Sequence, residues 1–272
     1  MSATVVVSGA FDDLRARHLR LLQEAAALGE VTVIVWPDDA VKKITGRPAR
    51  FPLAERVYLL QAVRYTTQVV QAGAFDFLTG LPSMEGTPLD VWVDEEHANN
   101  TARAQYCRQQ GLKYCVVPES ELRRFPASPS LPSRSGSKKI IVTGCYDWFH
   151  SGHVRFFEEV STYGELYVVV GHDANIRLLK GEGHPLVPQD ERRYLVGSIR
   201  HVHEAFISTG DGWLDAEPEI LRLKPDIYAV NEDGDKGGKR EYCQKIGLEY
   251  LVLKRTPAPG LAARSSTELR GF

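Results

Sequence analysis

At 272 residues, with 43% hydrophobic and 25% charged residues, the chain has material for two domains of ordinary size and is too apolar to be disordered. A formal net charge of -2 and a pI near 6.5 argue against a general nucleic-acid binder or a protein that coats anionic membranes. No run approaches the roughly 18 apolar residues of a membrane span. Residues 1–10 are apolar but lack a basic leader and a cleavage-type ending. Cys107, Cys115, Cys145 and Cys243 form no CxxC pair and are too sparse for a disulfide framework or a zinc site. They read as reduced thiols, and a cytoplasmic location is expected.

In chain order, Val5-Val6-Val7 reads as a buried strand, followed by Gly9-Ala10-Phe11-Asp12 and, further on, His18. The same landmarks return as Gly144-Cys145-Tyr146-Asp147 and His153, at an offset of 135. Glu55-Arg56 returns as Glu191-Arg192, Tyr106-Cys107 as Tyr242-Cys243, and Gly111-Leu112 as Gly247-Leu248, all at 136. So many matches at a nearly constant offset predict two copies of one domain. Residues 125–137, rich in Pro and Ser, read as a linker between copies at 1–124 and 138–272.

In the second copy, 140–143 is a short apolar run ending at Gly144 and predicts a buried strand. A helix is expected from 151 to about 163, with Val154, Phe157 and Val160 on one face. Strands are expected at 166–170, 205–208, 226–230 and 250–253, and helices at 190–200, 217–223 and 239–246. Such alternation predicts an open parallel sheet with helices on both faces. Ligands bind these sheets at the carboxyl ends of the strands, where strand order reverses.

His150-Ser151-Gly152-His153 falls where the first strand gives way to a helix. Residues three apart share a helix face, so both imidazoles are expected to point at one spot. The helix start offers free N–H groups and partial positive charge to a phosphate, and Gly152 leaves room for its approach. A glycine, two histidines and a helix start together suit a triphosphate.

Residues 144–153, with Gly144, Tyr146, Asp147, His150, Gly152 and His153, resemble the G-x-[FY]-D-x-x-H-x-G-H signature of the cytidylyltransferase-like nucleotidylyltransferases. Leu179-Lys180-Gly181 through Pro185 resembles the lysine loop of heptose-phosphate adenylyltransferase domains. Glu191-Arg192 is similar to the family's ER pair. Asn231-Glu232-Asp233 stands where relatives carry an acidic segment beside the base. Arg255-Thr256 resembles an arginine of the cytidylyltransferases, and Arg264-Ser265-Ser266-Thr267-Glu268-Leu269-Arg270 resembles the late motif at the triphosphate. The resemblance implies an α/β fold: a tandem repeat of two Rossmann-like domains with open parallel sheets. It also implies attack by a small phosphorylated alcohol or sugar on the α-phosphorus of a nucleoside triphosphate, with Mg²⁺ accompanying the nucleotide. His150, His153 and Lys180 would be catalytic, and Arg255, Ser266 and Thr267 would hold the far phosphates. CTP is favoured narrowly by Arg255-Thr256 and by the two-copy layout, which resembles the ethanolamine-phosphate cytidylyltransferases. ATP is the alternative, favoured by the lysine loop, and a non-catalytic nucleotide-binding regulator is a third reading. No nucleic-acid or membrane partner is expected, and a homodimer is left open.

The first copy reads Arg15-Ala16-Arg17-His18 at the motif and lacks the segment around Arg255. It is expected to be a structural partner. The sharper alternative makes Arg15, Arg17, Lys42, Lys43 and Arg47 an anion site. Among other residues, His201 and His203 are expected to be solvated. His172 is placed evenly between pocket and elsewhere, and His184 is expected to gate the lysine loop. Trp148 and Trp213 are read as packing residues.

Overall fold

The computed structural model describes residues 2–73, 76–82 and 88–266 and divides into two compact units, Met1–Phe125 and Pro126–Phe272. The first unit runs β1 (Thr4–Gly9), α1 (Ala16–Ala26), β2 (Glu30–Val35), α2 (Asp38–Thr45), α3 (Leu53–Gln61), β3 (Gln68–Gln71), β4 (Val91–Glu95), α4 (Thr101–Gln110), β5 (Lys113–Val117) and α5 (Glu119–Leu122). The second runs β6 (Lys139–Gly144), α6 (Ser151–Val160), β7 (Glu165–Val170), α7 (Asp173–Lys180), α8 (Gln189–Gly197), β8 (Val202–Ile207), α9 (Glu217–Leu223), β9 (Ile227–Asn231), α10 (Lys239–Ile246) and β10 (Glu249–Leu253).

Each unit contains a five-stranded parallel sheet, ordered β3-β2-β1-β4-β5 and β10-β9-β6-β7-β8. Read from the opposite edge, the second order repeats the first. The Rossmann-like α/β class is therefore present in both units. The central strands are short, β-branched and buried on both faces: Val5, Val6 and Val7 in β1, and Ile140, Ile141 and Val142 in β6, are at most 1% exposed. Runs of this kind, without polar alternation, suit a parallel sheet covered by helices on both sides. Each fully buried aliphatic side chain contributes about 1.5–3 kcal/mol. Strand order reverses between β6 and β9, which pair in parallel with Ile140 opposite Ile227, so a crevice opens there at the strands' carboxyl ends.

Several sequence expectations need adjusting. The helix expected over 151–163 ends at Val160, and that expected over 190–200 ends at Gly197. The strand expected at 205–208 begins earlier, at Val202. Helix α7 was not anticipated, and Lys180 is its last residue instead of part of a loop. The Pro/Ser-rich segment, which has no regular structure, lies along the second unit. There Leu131 N donates to His203 O (3.1 Å) and Arg134 N to Glu165 Oε1 (2.5 Å). His203 is buried against Tyr167, contrary to the expectation that it is solvated. Among the described residues no helix is long and apolar enough to cross a membrane.

Candidate active site

The segment after β6 is shaped by two close approaches. Tyr146 has φ +56°, a conformation rare for a non-glycine residue. A Cβ on Gly144 would lie 2.7 Å from the Tyr146 ring, so only glycine lets that ring fold back over the strand end. Tyr146 is buried and meets the His153 ring edge-on at 5.3 Å. Asp147 is also buried, and its Oδ1 accepts from the backbone N–H groups of Leu186 (2.8 Å) and Val187 (2.9 Å).

His150 lies outside α6, correcting the expectation that both histidines share a helix face. It is the N-cap, with extended backbone, and its Nδ1 accepts from Gly152 N at 3.1 Å. His153 reaches back so that its Nδ1 accepts from His150 N at 3.3 Å. The pair thus forms a capping box made of imidazoles, with ring centroids 4.0 Å apart. Because each Nδ1 is an acceptor, the hydrogen-bond pattern assigns the proton of each neutral ring to Nε2. His150 Nε2 is buried without a partner among the described residues. Burial, reinforced by the charges of Arg255 and Arg264, lowers the His150 pKa to about 3. Burial, with His150, Arg255 and Lys180 adding to it, holds His153 well below its ordinary value. Both rings are therefore neutral near pH 7. Gly152 is required for a reason the sequence did not reveal: a Cβ there would sit 2.9 Å from the His150 ring.

These residues open onto a cavity of about 270 Å³ at the β6/β9 switch point. Its walls are Thr143 and Gly144 at the end of β6, His150, Gly152, His153 and Phe156 at the start of α6, and Val230 and Asn231 at the end of β9. Asp233, Lys239, Arg255, Ser265 and Ser266 complete it. A smaller adjoining recess between α6 and the 254–264 segment is lined by Arg264 and Thr256. Arg255 is anchored: its Nη1 donates to Asp233 Oδ2 (2.5 Å), its Nη2 to the carbonyl of Arg264, and its backbone N to Glu232 Oε1 (3.0 Å).

The cavity brings together most of the expected site residues. Thr267 lies outside the described residues. Glu232 reaches the site only through Arg255, and Lys180 does not line the cavity among the described residues, although its charge is felt at His153. Asp147 and Arg192, expected at the nucleotide, do not line it either. Arg192 is buried, donating to the carbonyls of Val187 (2.7 Å), Cys145 (2.7 Å) and Gly171 (2.8 Å) and pairing with Asp173 (2.6 Å). His172 is a helix cap, its Nδ1 accepting from Asn175 N at 3.2 Å and its Nε2 lying 2.9 Å from Gly210 O. His184 Nδ1 lies 3.6 Å from Asp147 Oδ2. Trp213 is half exposed and Trp148 partly buried. Sequence reasoning missed Thr143, Phe156 and Lys239.

The corresponding place in the first unit is built differently. Asp12 accepts from the N–H groups of Arg50 and Phe51, as Asp147 does from Leu186 and Val187. Arg56 bonds the carbonyls of Phe51 and Ala10 and pairs with Asp38, as Arg192 does with its partners. His18 Nδ1 caps Arg15 N at 3.1 Å. Arg17, at the glycine position, pairs with Glu95 and Glu119 at 3.0 Å each, and Arg15 pairs with Asp13. Neither is therefore an unneutralised member of an anion site.

Residues 141–271 match the sequence model of the cytidylyltransferase-like family. The chain is 33% identical over 120 residues to an FAD synthase of Ferroglobus placidus, covering 43% of this chain and 75% of that one. It is 35% identical over 119 residues to an FAD synthase of Thermococcus kodakarensis, covering 43% of this chain and 78% of that one. A bifunctional protein HldE of Aliarcobacter butzleri is 31% identical over 121 residues, covering 44% of this chain and only 24% of that longer protein. Among solved structures, a lipopolysaccharide core biosynthesis protein of Thermoplasma volcanium aligns with a TM-score of 0.38 at 23% identity, over 45% of this chain and 99% of that one. The chain belongs to the cytidylyltransferase-like family of nucleotidyltransferases.

Proposed function

We propose that the second unit transfers an adenylyl group from ATP to a small phosphorylated acceptor, with release of pyrophosphate. The observation that carries this reading is the imidazole capping box. Both Nδ1 atoms are spent on the backbone, so both neutral rings keep Nε2–H as a donor beside a helix start and a cavity. Neutral donors fixed in advance suit the negative charge that grows on phosphate oxygens during transfer. An acceptor phosphate oxygen would form the new bond to the α-phosphorus. The bond from that phosphorus to the β-bridging oxygen would break, and pyrophosphate would leave with the electron pair. The nucleophile is already an anion, so no side chain need remove a proton. Alignment by His150, His153, Ser265 and Ser266, with Thr267 and Lys180 in support, supplies the rate.

The names of the matched FAD synthases favour ATP over CTP. The expectation of CTP rested on Arg255-Thr256 and on the two-copy layout, and Arg255 is tied to Asp233 and to the Arg264 carbonyl. Mg²⁺ is a hard ion that takes oxygen ligands, and the described residues contain no group of three or more His, Cys, Asp or Glu able to cage it. The ion is expected to arrive on the triphosphate. We further read the two units as copies of one domain, with the site in the second copy alone. The shared strand order and the recurring Asp12/Asp147 and Arg56/Arg192 clamps support that reading.

Pyrophosphate release tests the proposal, with ATP, CTP, GTP and UTP each offered beside a panel of phosphorylated acceptors that includes FMN, the part of FAD left when AMP is removed. Release is expected with ATP and one acceptor class. Release with CTP alone would overturn the choice of nucleotide, and failure of every triphosphate to bind at millimolar concentration would overturn the reaction.

A further inference from the structure

The two units differ at one cation beside the crevice. Strands β4 and β9 are in equivalent register with their neighbours, Val91 opposite Lys113 and Ile227 opposite Glu249. Asp94 of the first unit therefore corresponds to Val230 of the second. The following helices place Arg103 and Lys239 at matching positions, three residues before Tyr106 and Tyr242. In the first unit Arg103 is fully committed. It is ion-paired with the buried Asp94 carboxylate, donates through Nε to Leu78 O at 2.9 Å, and lies 5.2 Å over the Trp92 ring.

In the second unit the carboxylate is replaced by Val230, and Lys239 Nζ has a single hydrogen bond, to Gly234 O at 3.2 Å. Among the described residues no carboxylate lies within 4.0 Å of it. Asp215 and Asp235 attract it from farther away, but Asp215 is already bonded by Ser208 Oγ (2.6 Å), and Asp235 by Arg240 (3.0 Å) and Tyr250 (2.9 Å). Burial outweighs that attraction and lowers the Lys239 pKa. The other described cation lining the cavity, Arg255, is paired with Asp233. A half-buried ammonium with no carboxylate in contact is costly, and an incoming anion that pairs with it directly removes much of that cost.

We propose that Lys239 is a substrate-contacting residue that pairs with the phosphate oxygens of the bound triphosphate, a role made available by the exchange of Asp94 for Val230 between the units. The assignment rests on the nucleotidyl-transfer reading and adds to it a cation lining the same cavity as His150. It also predicts weaker triphosphate binding in the first unit, where the matching cation is consumed by a carboxylate.

Calorimetric titration of the full chain with ATP, inorganic pyrophosphate and adenosine tests this. Lys239→Gln should weaken ATP and pyrophosphate about tenfold or more, the scale of one lost charge-assisted hydrogen bond, and leave adenosine binding unchanged. Lys239→Arg should restore most of the affinity, and circular dichroism should show all variants folded. The assignment is overturned if Lys239→Gln binds ATP as the wild type does, or if adenosine weakens equally. A wild-type protein that binds no triphosphate would defeat the transfer reading as well. A wild type that binds ATP alongside an equally competent Lys239→Gln defeats only the role of Lys239.

Discussion

The imidazoles of the 150–153 segment are kept neutral by burial, and neutrality has a thermodynamic consequence. His18 is lowered to about 4 and His150 to about 3, burial being the main cause in each, and His153 is lowered well below 6.5. In the unfolded chain each would take up a proton near pH 6.5. The unfolded state therefore binds more protons below that pH, and stability falls as pH falls. The stabilisation is complete above about pH 6.5 and is lost progressively toward the folded-state values, each group adding up to about 1.4 kcal/mol per pH unit. Scanning calorimetry from pH 7.5 to 5 should show a steadily falling Tm, and His18→Gln should make the fall shallower. A Tm that is flat or rising on acidification would contradict the neutral assignment.

At the level of elements, Arg192 joins the end of β6, the end of β7 and the start of α8 through three carbonyls and Asp173. Arg192→Leu removes a buried guanidinium from one buried and three partly exposed acceptors and should cost about 1.5–3 kcal/mol in urea unfolding. A cost below 1 kcal/mol would show that water or rearrangement satisfies them. The sequence held a clue to this role that the family resemblance obscured. Asp147, Arg192 and the cap of His153 all have counterparts in the first unit, which lacks His150 and Gly152, so they answer a need of the fold. His150, Gly152 and the serines at 265–266 are peculiar to the second unit. Strands were legible because two-sided burial writes itself as unbroken Val and Ile. Helix α7 was overlooked although its residues are amphipathic: it is only eight residues long, it buries Asn175 and Ile176, and it leaves Leu178 and Leu179 71% and 54% exposed. The helical spacing of His150 and His153 misled for a different reason: a capping residue and an interior residue look identical in sequence. Lys239 was hidden because its meaning lies in the absence of a carboxylate at Val230, on the strand that precedes its helix.

Over the whole molecule, the two units share strand order and clamps, yet the second also owns the segment that precedes it. Leu131 N donates to His203 O on β8, Ser133 Oγ stands 3.5 Å from His203 Nε2, and Arg134 N is held by Glu165. A Cβ on Gly197 would collide with Ser128 Oγ at 2.9 Å, so the segment is fitted closely to α8. These bonds decide where the chain can be divided. A fragment of residues 126–272 should melt at a higher temperature than one of residues 138–272, by a few degrees in a thermal scan, whereas equal melting would mean the segment contributes nothing. Sequence composition alone would put the scissors at the end of the Pro/Ser run. The bonds to His203 and Glu165 put the seam before it, so those proline and serine residues are hem, stitched to the second cloth.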